Sequence, residues 1–202
     1  MHSSPATPTP SRRIVLASTS RYRRQLLRRI VVTFEVGAPS YEEKALAGEK
    51  PRETALRLSI AKARSVAKSF PDALIIGSDQ VADLDGEPVG KPITHDTALR
   101  QLIAMQGKRI DFHTGIALYD AANDTCQSDV VDTAVEFREL GAWALERYLQ
   151  RDEPYDCAGS AKIEALGIAL AKRVESPDPT ALVGLPLIRL TDMLLAAGIG
   201  VL

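Results

Sequence analysis

The pattern of apolar and polar positions along the chain predicts strands and helices that are mixed throughout its length. Short apolar runs and alternating stretches predict strands, while apolar residues at three- and four-residue spacing predict helices. The predicted strands are residues 14–17, 31–36, 74–76, 81–84, 110–119, 131–137 and 167–174. The predicted helices are residues 22–30, 51–70, 96–106, 141–150 and 186–197. Because these elements require both crossover and hairpin connections, we predict an α/β fold around a mixed β-sheet with flanking helices.

The most informative stretch, residues 74–91, combines an apolar run, a lone acid, a tight turn and a lysine. The apolar run predicts a buried strand, which leads through two small residues to Asp79. Asp85 and Gly86 predict a two-residue hairpin turn, because both central positions of that turn need a positive φ. Lys91 follows the returning strand. A carboxylate and an ammonium group in this arrangement suit phosphate and metal chemistry, although a turn with two solvated charges fits the same spacing.

Residues 11–29 carry seven arginines and no acid, so we expect any anion site to lie in this segment. Its hydroxyl-rich residues 18–20 follow the first predicted strand and are suitable N-cap residues for the next helix. The first-turn amides of a helix lack intrahelical partners and attract anions. Arg21, Arg23 and Arg24 crowd the same turn, where cations oppose the helix dipole. This clustering favours a bound anion, such as a triphosphate, over the alternative of a solvated basic face.

Two further groups of charged residues are candidates for a site. Glu42 and Glu43 form an acidic pair in a predicted loop, where they either hold a divalent metal or lie in solvent. Lys62 belongs to the predicted helix 51–70 but stands apart from the other basic residues of that helix. It either points into a site or reaches along the surface to solvent. The apolar stripe predicted for the helix consists of Leu56, Ile60, Ala63, Ala67 and Phe70.

Composition sets limits on the class of protein. The chain has 202 residues, 45% of them apolar, and a net charge of −1, so we expect no general attraction to nucleic acid or membrane. No apolar run is long enough to span a bilayer. We expect Cys126 and Cys157 to be free thiols in a reducing compartment, and therefore a cytoplasmic location. We expect residues 1–12 to form a disordered tail and residues 13–202 to form one domain.

Several familiar site motifs are absent from the sequence. It contains no G-x-x-x-x-G-K-[ST], no G-x-G-x-x-G and no G-x-S-x-G. Its cysteines and histidines do not have metal-ligand spacing. We interpret His95 and His113 as structural or surface residues.

An ordered set of short motifs resembles the Maf family of nucleoside triphosphate pyrophosphatases. The set consists of LASTSRYRR at residues 16–24, EE at 42–43, AKA at 61–63, and then GSDQV, GKP, CAGS and VGLPL. Each motif is weak alone, but their order is specific. The resemblance implies an elongated α/β fold with two lobes around a central cleft, within the single domain. It also implies hydrolysis of a nucleoside triphosphate to the monophosphate and pyrophosphate, with a divalent metal such as Mg²⁺ or Mn²⁺.

The resemblance also assigns roles to individual residues. The residues that match the phosphate-binding positions of the family are Ser18, Arg23, Arg24, Lys62 and Lys91. Asp79 matches the proposed catalytic base. Glu43 matches an acidic site residue, which we expect to hold the metal together with Asp79. Family members are often dimers, so the resemblance allows a homodimer, although no apolar stripe in the sequence demands one.

Three positions distinguish the branches of the family, and here they are Tyr22, Gln80 and Glu164. The branch that acts on dTTP and UTP typically has Arg, Thr and Gln at these positions. The branch that acts on 7-methyl-GTP has an aromatic residue, Gln and Glu, and the chain resembles this second branch. An aromatic ring attracts the cationic 7-methylguanine, and a carboxylate accepts hydrogen bonds from its N1 and N2. The chain departs from the usual pattern in having Tyr22 instead of Trp and Arg21 instead of Pro.

Two other functions stay open at this point. A dTTP or UTP pyrophosphatase of the same family would use the same chemistry, but the residues at the three branch positions argue against a pyrimidine. A nucleotide-binding regulator of cell division is a non-enzymatic alternative that the family name suggests. The retained acids and lysines argue against a loss of catalysis, although they do not exclude a regulatory role beside it.

Overall fold

The computed structural model describes residues 12–202, in which helices and strands surround one mixed sheet. The strands are Ile14–Ala17 (β1), Glu35–Gly37 (β2), Leu74–Leu84 (β3), Glu87–Val89 (β4), Arg109–Asp120 (β5), Thr125–Phe137 (β6) and Ala171–Glu175 (β7). The helices are Arg21–Leu27 (α1), Pro51–Val66 (α2), His95–Met105 (α3), Ala142–Asp152 (α4) and Leu187–Ala196 (α5). None of these helices has the length and apolar character needed to cross a membrane. Except for Arg12, the predicted tail lies outside the described residues.

The sheet has the strand order β2-β1-β3-β5-β6-β7, and β4 is added beside β3. β1 lies parallel to β2 and β3. The neighbouring pairs β3–β5, β5–β6 and β6–β7 are antiparallel. This combination confirms the predicted α/β fold with a mixed sheet. β1 is an uninterrupted apolar run because helices cover both faces of the sheet at this strand, so all of its side chains are buried.

One edge of β3 is open over residues 78–81. β5 pairs continuously with one edge of this strand. The other edge pairs with β1 at residues 74–77 and with β4 at residues 82–84. Within the described part of the chain, the intervening residues therefore have no strand beside them, and they include Asp79 and Gln80. An unpaired strand edge leaves backbone N–H and C=O groups available to a ligand.

Successive residues of the central strands face opposite sides of the sheet, and one side carries two separate hydrophobic clusters. α1 and α5 belong to the first cluster, together with Ile76 and Ile116 of β3 and β5. α3 and α4 belong to the second cluster, together with Ala82 and Phe112 farther along the same strands. Residues 78–81 lie between the two clusters. This arrangement agrees with the expected two packed lobes around a cleft.

Helix α2 covers the opposite side of the sheet and lies directly on its backbone. Two strand glycines face the helix, Gly77 on β3 and Gly115 on β5. A Cβ atom on Gly77 would lie 2.1 Å from the carbonyl oxygen of Ser59, and one on Gly115 would lie 2.2 Å from that of Ala55. The absence of a side chain at both positions therefore permits the close approach of helix and sheet.

The structure corrects two of the predicted strands. The predicted strand 31–36 is reduced to Glu35–Gly37, and Val32 is 94% exposed in the turn that follows α1. The predicted strand 167–174 begins only at Ala171, because residues 166–170 form a 3₁₀ helix. In both cases the apolar run is longer than the strand, because only part of the run pairs with a neighbouring strand.

The apolar stripe predicted for α2 is only partly confirmed, because Ala63 is buried while Ile60, Ala67 and Phe70 are partly buried against the same cluster. The buried face of the helix contains Ala55, Leu58, Lys62 and Ala63, whereas Leu56 is only partly buried. Small residues occupy this face because the helix rests on backbone rather than on side chains. The buried face is therefore rotated relative to the predicted stripe, with Ala63 common to both, and Lys62 points inward.

Replacing Gly77 with Ala is expected to destabilise the protein by about 2 kcal/mol or more, because the added Cβ would overlap the backbone of α2. Chemical denaturation of both proteins measures the change in the free energy of unfolding. Gly200→Ala is the control, because nothing lies within 4 Å of a Cβ at that position. Equal unfolding free energies for Gly77→Ala and the wild type would show that the helix does not rest on β3 as described.

Candidate active site

A cavity of about 960 Å³ lies at the open edge of β3. Its walls come from the β1–α1 connection, the loop before α2, α2, the segment after β4, and residues 156–164 and 182–184. The residues assigned by sequence that line it are Ser18, Tyr22, Arg23, Glu43, Lys62, Asp79, Gln80, Lys91 and Glu164. Arg24 does not line the cavity, and its buried Nε has no hydrogen-bond partner among the described residues. Of these two neighbouring arginines in α1, only Arg23 therefore lies in the cavity lining.

Lys62 joins two carboxylates at the wall of the cavity. Its Nζ lies 2.5 Å from Asp79 Oδ1 and 2.8 Å from Glu43 Oε1. Lys62 is 3% exposed and Asp79 is 7% exposed, so this contact is shielded from solvent. A charged lysine is tolerated in such a position only when acidic partners compensate for its lost hydration. Of the two interpretations of Lys62 from sequence, the structure therefore supports the side chain that points into a site.

Opposing effects act on the pKa of Glu43. Burial raises this pKa. The hydrogen bond from Lys62 and the positive charges of Lys62, Lys91 and Arg23 lower it, and together they outweigh the effect of burial. The pKa therefore lies below its ordinary value, and the carboxyl group is ionised at neutral pH. Lys91 is the weaker partner, because its Nζ lies 4.0 Å from Glu43 Oε2 and its side chain is half exposed. We refer to Arg23, Lys62 and Lys91 as the cationic group.

Arg23 is held in place by the loop before α5. Its Nε donates a hydrogen bond of 2.7 Å to the carbonyl oxygen of Gly184, which also accepts one of 2.9 Å from Ser78 Oγ. Burial lowers the pKa of Arg23, while the charges of Asp79 and Glu43 oppose that effect. Gly184 has a φ of 109°, which favours glycine at this point of the loop. The glycine of the motif VGLPL therefore has a structural role, because its carbonyl oxygen accepts hydrogen bonds from both Arg23 and Ser78 of β3.

The β1–α1 connection lines the cavity with hydroxyl groups. Ser18 is buried, and its Oγ accepts a hydrogen bond of 3.1 Å from the backbone N–H of Ser20. Ser20 is the N-cap of α1, and its side chain accepts a hydrogen bond from the backbone N–H of Arg23. The predicted start of the helix after residues 18–20 is confirmed. The same turn that caps the helix also orients Arg23.

Gln80 is anchored to the loop that closes the cavity beside it. Its Nε2 donates hydrogen bonds to Thr114 Oγ1 at 3.0 Å and to the carbonyl oxygens of Ala181 at 3.0 Å and Leu182 at 3.1 Å. The side-chain oxygen of Gln80 forms no hydrogen bond within residues 12–202 and is the group left for a ligand. Because neighbouring residues of a strand alternate, Asp79 faces α2 while Gln80 faces this loop.

A second set of cavity residues is aromatic and acidic, and we call Tyr22, Asp156 and Glu164 the acidic group. The hydroxyl of Tyr22 donates a long hydrogen bond of 3.5 Å to Asp156 Oδ1. Burial raises the pKa of Glu164; the negative charge of Asp156 adds to the rise and Lys162 opposes it. Burial, followed by the charges of Asp156 and Glu164, raises the pKa of the neighbouring Cys157 to about 12. Two carboxylates therefore lie in this part of the cavity, where Arg21 is the cation beside Tyr22.

The residues predicted to lie outside the chemistry behave as expected. His95 bonds to Tyr155 and Glu146, and His113 bonds to two aspartates, so both histidines link surface elements away from the cavity lining. Cys126 and Cys157 are free thiols, as predicted.

Glu43 and Asp79 fit a divalent cation when a substrate supplies further ligands. Among residues 12–202, no three histidine, cysteine or acidic side chains are grouped as a metal site. Mg²⁺ is commonly held by one or two carboxylates together with water and substrate phosphates. Both carboxylates contact the single ammonium group of Lys62, so they lie close enough to contribute oxygens to one cation. The donor set therefore suits Mg²⁺ or Mn²⁺ bound with a phosphate.

Sequence reasoning missed the roles of Ser78, Gly184 and Asp156. Ser78 and Gly184 were visible only as small residues within longer motifs, and their shared hydrogen bond joins segments 106 residues apart. Asp156 precedes the motif CAGS, but its contact with Tyr22 also spans most of the chain. The only signal in the sequence for Asp156 was its position directly before this motif.

The fold and the cavity together define an α/β protein with a cleft that suits a polyanion next to an aromatic and acidic surface. The chain belongs to the Maf family, because the family described as Maf-like protein matches residues 13–197. This match covers almost the whole described chain and includes every element that lines the cavity.

Curated relatives are similar to the chain over nearly their full length. A protein of Methylobacillus flagellatus is 52% identical over 189 residues, which cover 94% of this chain and 98% of that protein. A protein of Burkholderia orbicola is 55% identical over 188 residues, with 92% and 90% covered. A protein of Cupriavidus pinatubonensis is 54% identical over 192 residues, with 95% and 96% covered. Each of the three is named 7-methyl-GTP pyrophosphatase.

Replacing Lys62 with Met is expected to raise the pKa of Glu43, because burial then acts without the hydrogen bond that lowers it. The loss of the buried cation is also expected to destabilise the protein by about 3 kcal/mol. Carboxyl-carbon NMR titration measures the pKa, and chemical denaturation measures the stability. Lys91→Met is the matched control and should change both quantities less, since Lys91 is exposed and lies farther from Glu43. An unaltered pKa of Glu43 in Lys62→Met would rule out the shared contact.

Proposed function

We propose that the protein hydrolyses 7-methyl-GTP to 7-methyl-GMP and diphosphate and so removes a modified nucleotide from the cellular pool. The observation that carries this proposal is that one cavity contains both the cationic group and the acidic group. 7-Methyl-GTP has the complementary distribution of charge, with a polyanionic triphosphate and a positively charged base. The shared name of the near full-length relatives supports the same substrate.

The cationic group is proposed to bind the triphosphate. Arg23 and Lys91 line the cavity and carry charge that the phosphates neutralise, and Ser18 adds a hydroxyl beside them. Cleavage of the α–β phosphoanhydride bond builds negative charge on the departing diphosphate. Cations that are already in place stabilise this charge without reorganisation during the reaction, which is the largest contribution in many enzymes. Arg24 is left out of this site, because it does not line the cavity.

Asp79 is proposed to orient the attacking water and to accept its proton. Its Oδ1 is bound to Lys62, which fixes the carboxylate, and its Oδ2 forms no hydrogen bond within residues 12–202. A water held at Oδ2 would lie at the open edge of β3, beside the cavity. The oxygen of this water bonds to phosphorus, the bond to the leaving diphosphate breaks, and the proton passes to Asp79.

A divalent cation is part of the proposal, with Glu43 and Asp79 as its protein ligands. Bound there, it would supply positive charge next to the phosphates and polarise a phosphoryl oxygen. Lys62 keeps the two carboxylates together before the cation and substrate are present. A cation held by Glu43 and Asp79 would also reduce the repulsion between these carboxylates and an incoming polyanion.

The acidic group is proposed to bind the base. The ring of Tyr22 offers a face to a planar cation, which is worth about 1 kcal/mol or more when water is excluded. Glu164 is proposed to accept hydrogen bonds from N1 and N2 of the guanine edge, a pair of donors that a pyrimidine lacks. Gln80 supports the base site through the loop that it anchors and offers its side-chain oxygen.

Two further features belong to the proposal. We place the protein in the cytoplasm, where nucleotides are processed and where free thiols such as Cys126 and Cys157 stay reduced. A homodimer is retained as an assembly to be tested by size-exclusion chromatography with light scattering.

Replacing Asp79 with Asn is expected to reduce the rate of diphosphate release from 7-methyl-GTP about a thousandfold, because an amide cannot accept the proton from water. Release is measured from 7-methyl-GTP, GTP, dTTP, UTP and CTP, with Mg²⁺, with Mn²⁺ and with a chelator. Asp83→Asn is the matched control, since Asp83 lies on the same strand, does not line the cavity and should leave the rate unchanged.

Each result of this panel separates the functions considered. Selective release from 7-methyl-GTP that is lost in Asp79→Asn is the expected result. A preference for dTTP or UTP would retain the chemistry and overturn the base assignment. Nucleotide binding without release from any member of the panel, in the presence of metal, would favour the regulator.

Replacing Glu164 with Gln is expected to lower kcat/KM for 7-methyl-GTP at least tenfold, because an amide presents a donor to the N1 and N2 donors of guanine. The free energy of unfolding should change by less than about 0.5 kcal/mol, since the side chain lies at the surface of the cavity. Steady-state kinetics and denaturation of the same preparation measure the two effects. Unchanged kinetics would remove Glu164 from the base site.

A further inference from the structure

A planar cation already lies on the proposed base-binding surface, and it is the side chain of Arg21. The guanidinium carbon of Arg21 lies 4.7 Å from the centroid of the Tyr22 ring. Its Nη2 donates a hydrogen bond of 2.6 Å to the hydroxyl of Tyr22, which in turn donates to Asp156. All three residues line the cavity. An aromatic face beside a carboxylate is therefore shown here to hold a flat, positively charged group.

The charges around this position strengthen the same conclusion. Asp156 and Glu164 both line the cavity, and after burial the charge of Asp156 adds a smaller part to the rise in the pKa of Glu164, so the two carboxylates repel each other. Lys162 is near but does not line the cavity, and Arg21 is exposed and can swing into solvent. A ligand that brings a positive charge between the carboxylates relieves their repulsion, whereas a neutral ligand does not.

We infer that Asp156 is a specificity-determining residue that selects a base by its positive charge, with Tyr22 as the stacking surface and Arg21 as the group that the base displaces. This inference rests on the proposed function. It differs from hydrogen bonding to the guanine edge, because guanine presents N1 and N2 donors whether or not N7 is methylated. Methylation of N7 adds one methyl group and one positive charge. The carboxylate of Asp156 attracts this charge.

The test removes the charge of Asp156 and keeps its shape. Asp156→Asn retains an Oδ1 atom that accepts the hydrogen bonds from Tyr22 and Cys157. We expect the ratio of kcat/KM for 7-methyl-GTP over GTP to fall about tenfold, while kcat/KM for GTP itself changes less than about twofold. The ratio does not depend on the fraction of folded enzyme, so a partly unfolded variant still gives a valid answer.

A second pair of substrates isolates charge from the guanine edge. 7-Methyl-ITP and ITP differ by the same methyl group and charge but lack the exocyclic amino group. Asp156→Asn should lower their ratio of kcat/KM by a similar factor. Glu87→Gln is the matched control, because it removes one negative charge from an exposed strand residue that does not line the cavity, and it should leave both ratios unchanged.

The outcomes separate this inference from the proposed function. Selective wild-type hydrolysis of 7-methyl-GTP with equal ratios in Asp156→Asn would overturn the role of Asp156 and leave the proposed function standing. A fall in the ratio caused only by faster hydrolysis of GTP would also overturn it, because Asp156 would then act against the uncharged base and not in favour of the charged one. A wild-type enzyme without preference for 7-methyl-GTP would overturn both.

Discussion

The contact of Lys62 with Asp79 and Glu43 is the interaction on which the site depends. It joins α2, β3 and the loop before α2 at one point, where Lys62 and Asp79 are buried and Glu43 is about half exposed. Removing Lys62 and Asp79 from water costs free energy, and their pairing offsets that cost only when the geometry is close. The geometry is close because Gly77 and Gly115 let the helix backbone rest on the sheet. The position of these charged groups therefore depends on the close packing of α2 against the sheet.

The location of the cavity follows from a mismatch of strand lengths. β3 has 11 residues, while β1 has four and β4 has three, so the two short strands cannot cover the whole of one edge. The hydrophobic clusters at either end of β3 hold the walls apart, and loops from both ends reach into the space between them. Two surfaces of opposite charge can face one cavity because each is carried by different elements.

Local pattern was sufficient for the order of elements and for the charged residues that stand apart from their surroundings, such as Asp79 and Lys62. It was insufficient for the inner face of α2, because that face is decided by glycines on strands remote in sequence. The same reason explains Asp156, whose partner Tyr22 lies 134 residues away. A periodicity describes one element, whereas these features arise only where two elements meet.

The hydrogen bonds of Gln80 connect β3 to the turn before α5. Its amide group donates to the carbonyl oxygens of Ala181 and Leu182. Thr114 and Gly184 also donate to the carbonyl of Ala181, so a side chain with fewer donors would leave only the carbonyl of Leu182 without its partner. Loss of that hydrogen bond would disturb the turn before α5, which also carries the carbonyl of Gly184 that accepts from Arg23. If Gln80 acts at the base and Arg23 at the phosphates as proposed, a change at either residue would alter the other through this turn.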